Sequence, residues 1–158
     1  MEEKPERKEN GVKRFAALIL LLFLLPVLVC CGKEKSPVGD YDTLEELAAA
    51  VTHPLYLPSQ SGWIPVAFTL NERLEAEISY RMGKETFVFR MKPGEGHPLD
   101  PEETFGGSMK VGQLTVSYCG TADAITDAWW TAGDYGYGVS APGSMTADAL
   151  TALIASIR

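Results

Sequence analysis

The chain has 158 residues, 46% hydrophobic and 22% charged, a balance that excludes a disordered or fibrous chain and leaves room for one globular domain behind a targeting segment. From Cys31 onward nine basic residues stand against seventeen acidic ones, a net charge of −8. The few cations are scattered singly, which argues against nucleic acid as a partner, since phosphate binding needs a concentrated basic face.

The first element is a greasy leader. Lys13 and Arg14 precede a stretch from Phe15 to Cys31 that runs 17 residues without a charge and stops at Gly32-Lys33-Glu34-Lys35. This is longer than a usual signal-peptide core of about 7–15 residues. It is slightly short of the ~30 Å bilayer core at about 1.5 Å per helical residue. The sequence Leu28-Val29-Cys30-Cys31 resembles the lipobox of bacterial lipoproteins. That resemblance implies that Cys31 is lipidated and becomes the mature amino terminus, with residues 1–31 serving as signal peptide. The alternative is an uncleaved single span. In either case the positive-inside tendency keeps Lys13 and Arg14 in the cytoplasm, and all later residues face outward. The expected address is the extracytoplasmic face of the cell membrane.

Residues 32–40, polar and containing Pro37 and Gly39, read as a tether, and residues 41–158 as the displayed domain. Thr43-Leu-Glu-Glu46 is a capping box opening a short helix whose apolar face is Leu44, Leu47 and Val51. Thr52-His53-Pro54 ends that helix. A period of two then predicts strands. Ile64, Val66, Phe68 and Leu70 share one face, followed by Ala76, Ile78 and Tyr80, and by Phe87, Phe89 and Met91. Residues 93–107 have no period and form the longest loop, a lid or a plain connection. Strand signals resume at 109–111, 114–118, 125–131 and 135–140, with Gly112-Gln113, Gly120-Thr121 and Gly133-Asp134 between them. Leu150, Leu153, Ile154 and Ile157 make the stripe of a closing helix from about Thr146, capped by Ser144 or Thr146. The expected fold class is α+β: a single curved antiparallel meander of about six strands, with helices near both ends packed on one face. Cys119, without a second domain cysteine, His or Lys beside it, reads as a packed thiol.

Several features together carry a resemblance. They are Pro54-Leu-Tyr-Leu-Pro58 after a short helix, the pair Ile78-Ser-Tyr80 and Phe87-Val-Phe-Arg90, Ala128-Trp129 followed by Gly133-Asp-Tyr-Gly-Tyr137, and the closing stretch from Ala149-Leu150 to Ser156-Ile157. From Pro54 to Arg158 the chain resembles the Gram-positive membrane-anchored family called domain of unknown function 4367. Members occur as lipoproteins or beyond a single span, some beside regulators of extracytoplasmic sigma factors. The resemblance implies sensing or regulation at the envelope.

No motif of catalysis is found. Gly143-Ser144-Met145 lacks the second glycine of a nucleophile elbow. His53 and His97 belong to no metal-ligand spacing, and Asp40-Tyr-Asp42 is no calcium loop. No cofactor or metal is expected. Aromatic residues remain: Trp129 and Trp130 must point to opposite faces of one strand. Together with Tyr135 and Tyr137 they are the expected contact surface for an envelope protein, glycan or lipid. The expected function is non-catalytic binding, sensing or regulation. Its rivals are a hydrolase with a concealed carboxylate pair such as Glu102-Glu103, and a spacer or lipoprotein chaperone with a deep apolar groove.

Overall fold

Alternation with a period of two becomes one antiparallel sheet in the computed structural model, which describes residues 37–94, 96, 98 and 106–158. The leader with Cys31, the tether residues 32–36, His97 and Glu102-Glu103 lie outside the described residues. Eight strands are present, β1 (Gly39–Tyr41), β2 (Ile64–Leu70), β3 (Ala76–Met82), β4 (Glu85–Pro93), β5 (Gly107–Val111), β6 (Leu114–Thr121), β7 (Ala124–Ala132) and β8 (Tyr135–Met145). Helix α1 (Leu44–Ala50) lies between β1 and β2, and α2 (Ala147–Ala155) follows β8. The class is α+β.

Two expectations are corrected. The sheet has eight strands rather than about six, and its order, β1-β2-β3-β4-β8-β7-β6-β5, is not a single meander. The chain winds β1 to β4, steps to the far edge, and winds back so that β8 pairs with β4 from Val88↔Ser140 to Pro93↔Tyr135. The step spans four strand spacings, about 19 Å. The residues between Pro93 and Gly107 reach roughly twice that when extended, so this long loop is the crossover. β1 escapes a pattern search because three residues, Gly-Asp-Tyr, show no alternation. Backbone pairing to Leu70, Thr69 and Phe68 holds it, with the Thr69 hydroxyl donating to Asp40 Oδ1 at 2.8 Å. Gly39 and Asp40, read as the end of the tether, therefore belong to the sheet.

One face of the sheet makes the core. Ile78, Phe89, Val139 and Ala128 sit abreast on β3, β4, β8 and β7, all essentially without solvent contact. Leu47 of α1 and Leu150, Leu153 and Ile154 of α2 join the same cluster. Alternation held in β3 and β4 but broke in β2. A register shift between Pro65 and Ala67 keeps Phe68 and Leu70 inward while Ile64 and Val66 become exposed, as a bulge turns the strand by one residue. Gly83, Gly112 and Gly133 open two-residue hairpin turns at φ near +60°. That is the glycine-first turn whose twist matches antiparallel strands. Gly120 instead sits inside β6 at a second bulge, and the β6–β7 turn is Ala122-Asp123.

Both helix starts follow their sequence signals. Thr43 Oγ1 accepts from Glu46 N–H at 3.2 Å and the Glu46 carboxylate accepts from Asp42 N–H at 3.1 Å, while Thr146 caps α2 through Ala149 N–H. After α2 the chain folds against residues 57–59. Leu57 and Arg158 exchange backbone hydrogen bonds at 3.1 and 3.2 Å, Pro58 bridges Ile157, and the Ser59 hydroxyl donates to Ser156 carbonyl at 2.7 Å.

Phe89→Ala, which empties the centre of this cluster, is expected to cost about 3–5 kcal/mol. Thr146→Ala, which removes one cap, should cost about 1 kcal/mol. Urea unfolding measures both, and a loss at Phe89 no larger than that at Thr146 would contradict this assignment of the core.

Candidate functional site

The C-terminal ladder places Tyr56 between two stiffening prolines, Pro54 and Pro58, and brings it to the β7–β8 hairpin. Its ring meets Tyr135 edge to face, centroids 5.5 Å apart, and its backbone N–H donates to Met91 Sδ at 3.3 Å. Tyr135 also touches the His53 ring at 5.8 Å. Below them Tyr137 is buried and stacks on Trp130 at 5.5 Å and 7°. The Tyr137 phenol is pushed above its ordinary value, first by burial and then by the nearby phenols of Tyr56 and Tyr135. A shallow, open depression of about 390 Å³ is lined by Tyr56, Ala132, Gly133, Asp134, Tyr135, Tyr137 and Ile157. That volume falls within the range of small-ligand sites.

The four aromatic residues named from the sequence do not form one patch. Trp130 and Tyr137 are core residues, 3% and 4% exposed. Trp129 points to the other face of the sheet, partly exposed, between Ser117 and Gly138 in register. Only Tyr135, half-buried, reaches the depression from the side open to solvent. Tyr56 takes the place expected of the tryptophans, and its sequence signal is an aromatic held between two prolines, Pro54 and Pro58.

A second hollow, about 120 Å³ and almost wholly apolar, lies among Pro37, Ala50, Val51, His53, Leu70, Leu74 and Pro93. It has room for one aliphatic side chain and is not the deep groove of a chaperone. His53 lines this hollow, and its ring meets Tyr135 of the depression. Its Nε2 is shut off from solvent and has no hydrogen-bond partner among the described residues, and burial holds its pKa below 6.5.

Among the described residues Glu75 and Glu77 share one donor. Asn71 Nδ2 donates to both at 2.8 Å, and Asn71 Oδ1 accepts from Arg73 and Glu75 N–H, which shapes the β2–β3 turn. Arg90 stands 3.4 Å from Glu77 and donates to the Ser140 hydroxyl at 2.7 Å. Neither glutamate lines either hollow, and the hydrogen bonds satisfy a buried acid, Glu75. Ser144 adopts a left-handed φ of 59°, yet its hydroxyl has no histidine or acid partner among the described residues. No group of three or more His, Cys, Asp or Glu among the described residues could hold a metal ion. Cys119 is buried.

Comparison with protein-family models, with curated proteins and with solved structures finds no match. The functional reading therefore rests on the residues themselves.

His53 supplies a pH test. Its folded pKa lies below its unfolded value, so the unfolded chain binds the proton first as pH falls. The stabilisation is full above about 6.5 and declines as pH drops through that value toward the folded pKa. His53→Gln is expected to flatten the stability-versus-pH curve between about pH 7 and pH 5 in urea melts, with His97 as a common background. Parallel curves for the two proteins would remove this account of His53.

Proposed function

We propose that the protein is a non-catalytic, membrane-anchored envelope lipoprotein whose displayed domain binds a glycan at the Tyr56–Tyr135 depression, in a sensing or regulatory capacity. The leader from Phe15 to Cys31, with cations before it and cysteine at its end, supports the address. No helix among the described residues is long and apolar enough to cross a membrane.

The observation that carries the binding reading is the edge-to-face Tyr56–Tyr135 pair beside the Asp134 turn. Tyr56 is 39% exposed, so its ring offers an apolar face on which the C–H side of a sugar can lie. Asp134 and the phenols accept and donate to its hydroxyl groups. Rigid rings cost little entropy to present. The ladder between residues 57–59 and 156–158 fixes Tyr56 before any ligand arrives, and preorganisation of that kind favours affinity.

Two measurements test this. Mass spectrometry of the mature protein should find an amino terminus at Cys31 carrying acyl chains; an intact Met1 terminus would replace the lipid with a span. Full-length protein in nanodiscs should bind soluble glycan strands of alternating N-acetylhexosamines by saturation-transfer NMR. Tyr135→Ala should weaken that binding by roughly tenfold, about 1.4 kcal/mol. If Tyr56→Ala and Tyr135→Ala both leave the signal at its wild-type level, the depression is not the site.

A further inference from the structure

Among the described residues five large apolar side chains are exposed. Tyr56 belongs to the depression and Leu74 lines the small hollow. The other three, Ile64 at 56%, Val66 at 45% and Met82 at 43%, gather at one corner of the sheet where β2 begins and β3 ends. Ile64 pairs with Arg81 and shares its outer face, while Met82, next along β3, lies with Trp63 on the other face, so both faces of this corner carry apolar side chains. The Trp63 indole N–H donates to Met82 Sδ at 3.1 Å, and its ring packs edge-on against Phe87 at 4.9 Å, so the indole is held at the rim of the corner. β1 covers β2 only from Phe68 to Leu70, which leaves Ile64 to Ala67 as an uncovered edge, and the bulge beside Val66 turns both aliphatic residues out of the core. Exposed Arg81 and Lys84 flank the group, with Glu85 opposite Met82. This corner is thus locally cationic, whereas the chain from Cys31 onward carries −8.

We infer that this corner is a membrane-contacting surface that seats in the interfacial region of a bilayer containing anionic headgroups. An indole at the rim, aliphatic residues at the tip and basic residues to the side are the arrangement that interfaces favour. Trp sits at headgroup depth, long cationic side chains keep their charge in water, and apolar groups enter the acyl boundary. The charge complements the partner where the rest of the domain would repel it. The inference rests on the proposed membrane anchor but not on the glycan reading. Reach is sufficient: residues 32–38 extend to about 23 Å at ~3.3 Å each. β2, which starts at this corner and ends beside the incoming chain, spans about 20 Å.

Brominated lipids test the inference, because they quench only those tryptophans that approach acyl chains. Full-length protein is reconstituted into vesicles of equal parts phosphatidylglycerol and dibrominated phosphatidylcholine, and its emission is compared with that in unbrominated vesicles. Quenching of the wild type is expected. Trp63→Phe should lose most of it, with Trp129 and Trp130 unchanged. The double variant Ile64→Asp/Val66→Asp, at two exposed positions, should keep the wild-type melting temperature and also lose most of the quenching. Equal quenching in all three proteins would overturn the proposal. So would a dimer in sedimentation that Ile64→Asp/Val66→Asp abolishes without any quenching in the wild type, which would assign the corner to a second copy of the chain. Flotation of the wild type with the vesicles separates the two readings. A protein that floats without quenching loses the corner alone, and one that does not float loses the anchor as well.

Discussion

The pairing of β4 with β8 is the constraint on which the rest of the molecule depends. Each of the two four-stranded runs, β1–β4 and β5–β8, buries only part of an apolar face when alone. Joined through Val88↔Ser140 to Pro93↔Tyr135, they place Phe89 beside Val139 and Met91 beside Tyr137, and one continuous core results. Backbone must come close for this to happen. A β-carbon on Gly136, opposite Lys92, would stand 2.0 Å from the carbonyl oxygen of Gly96, a separation no side chain tolerates. Glycine at 136 lets the crossover loop lie against β8, and the loop's own carbonyl occupies the space a side chain would need.

The depression follows from the same ladder. β8 carries Tyr135 and Tyr137 on its core-facing side, and α2, which follows it directly, returns the chain terminus to residues 57–59. Tyr56 is then pinned between prolines against Met91 of β4. Three elements distant in sequence thus meet through backbone hydrogen bonds rather than through side-chain complementarity alone. Further inside, Tyr80 lies face to face with Phe87 at 5.0 Å, and burial pushes its phenol up to about 12. It stays neutral and gives its hydroxyl to the Pro58 carbonyl at 3.4 Å, which supports the same segment from below.

Local physics was legible in the sequence, and long-range pairing was not. The capping box at Thr43, the cap at Thr146, the glycine-first turns at Gly112 and Gly133, and the inward positions of Ile78, Tyr80, Phe87 and Phe89 depend on neighbours a few residues away. β1 is too short to show a period, and at the bulge beside Pro65 the run Ile64, Val66, Phe68, Leu70 still alternates in sequence, so the shift leaves no break in the pattern. Which strand fills the place beside β4 depends on the whole fold, and an aromatic-rich hairpin such as 129–137 shows no sign of which ring is inside. That is why Trp130 was a candidate for a surface it does not line, and Tyr137 for one it lines only from its buried side, while Tyr56, whose role depends on residues a hundred positions later, was noticed only as part of a motif.

The position of β8 also bears on how such a chain acquires its shape. β8, one of the two central strands, is made after every other strand of the sheet, and the residues that latch residues 57–59 follow it. Until they appear, β4 has an open flank and neither half has a complete interior, so stable structure cannot accumulate from the amino end forward. Closure of the sheet therefore waits on a strand made after all its neighbours, and the two halves gain a shared interior in a single late step.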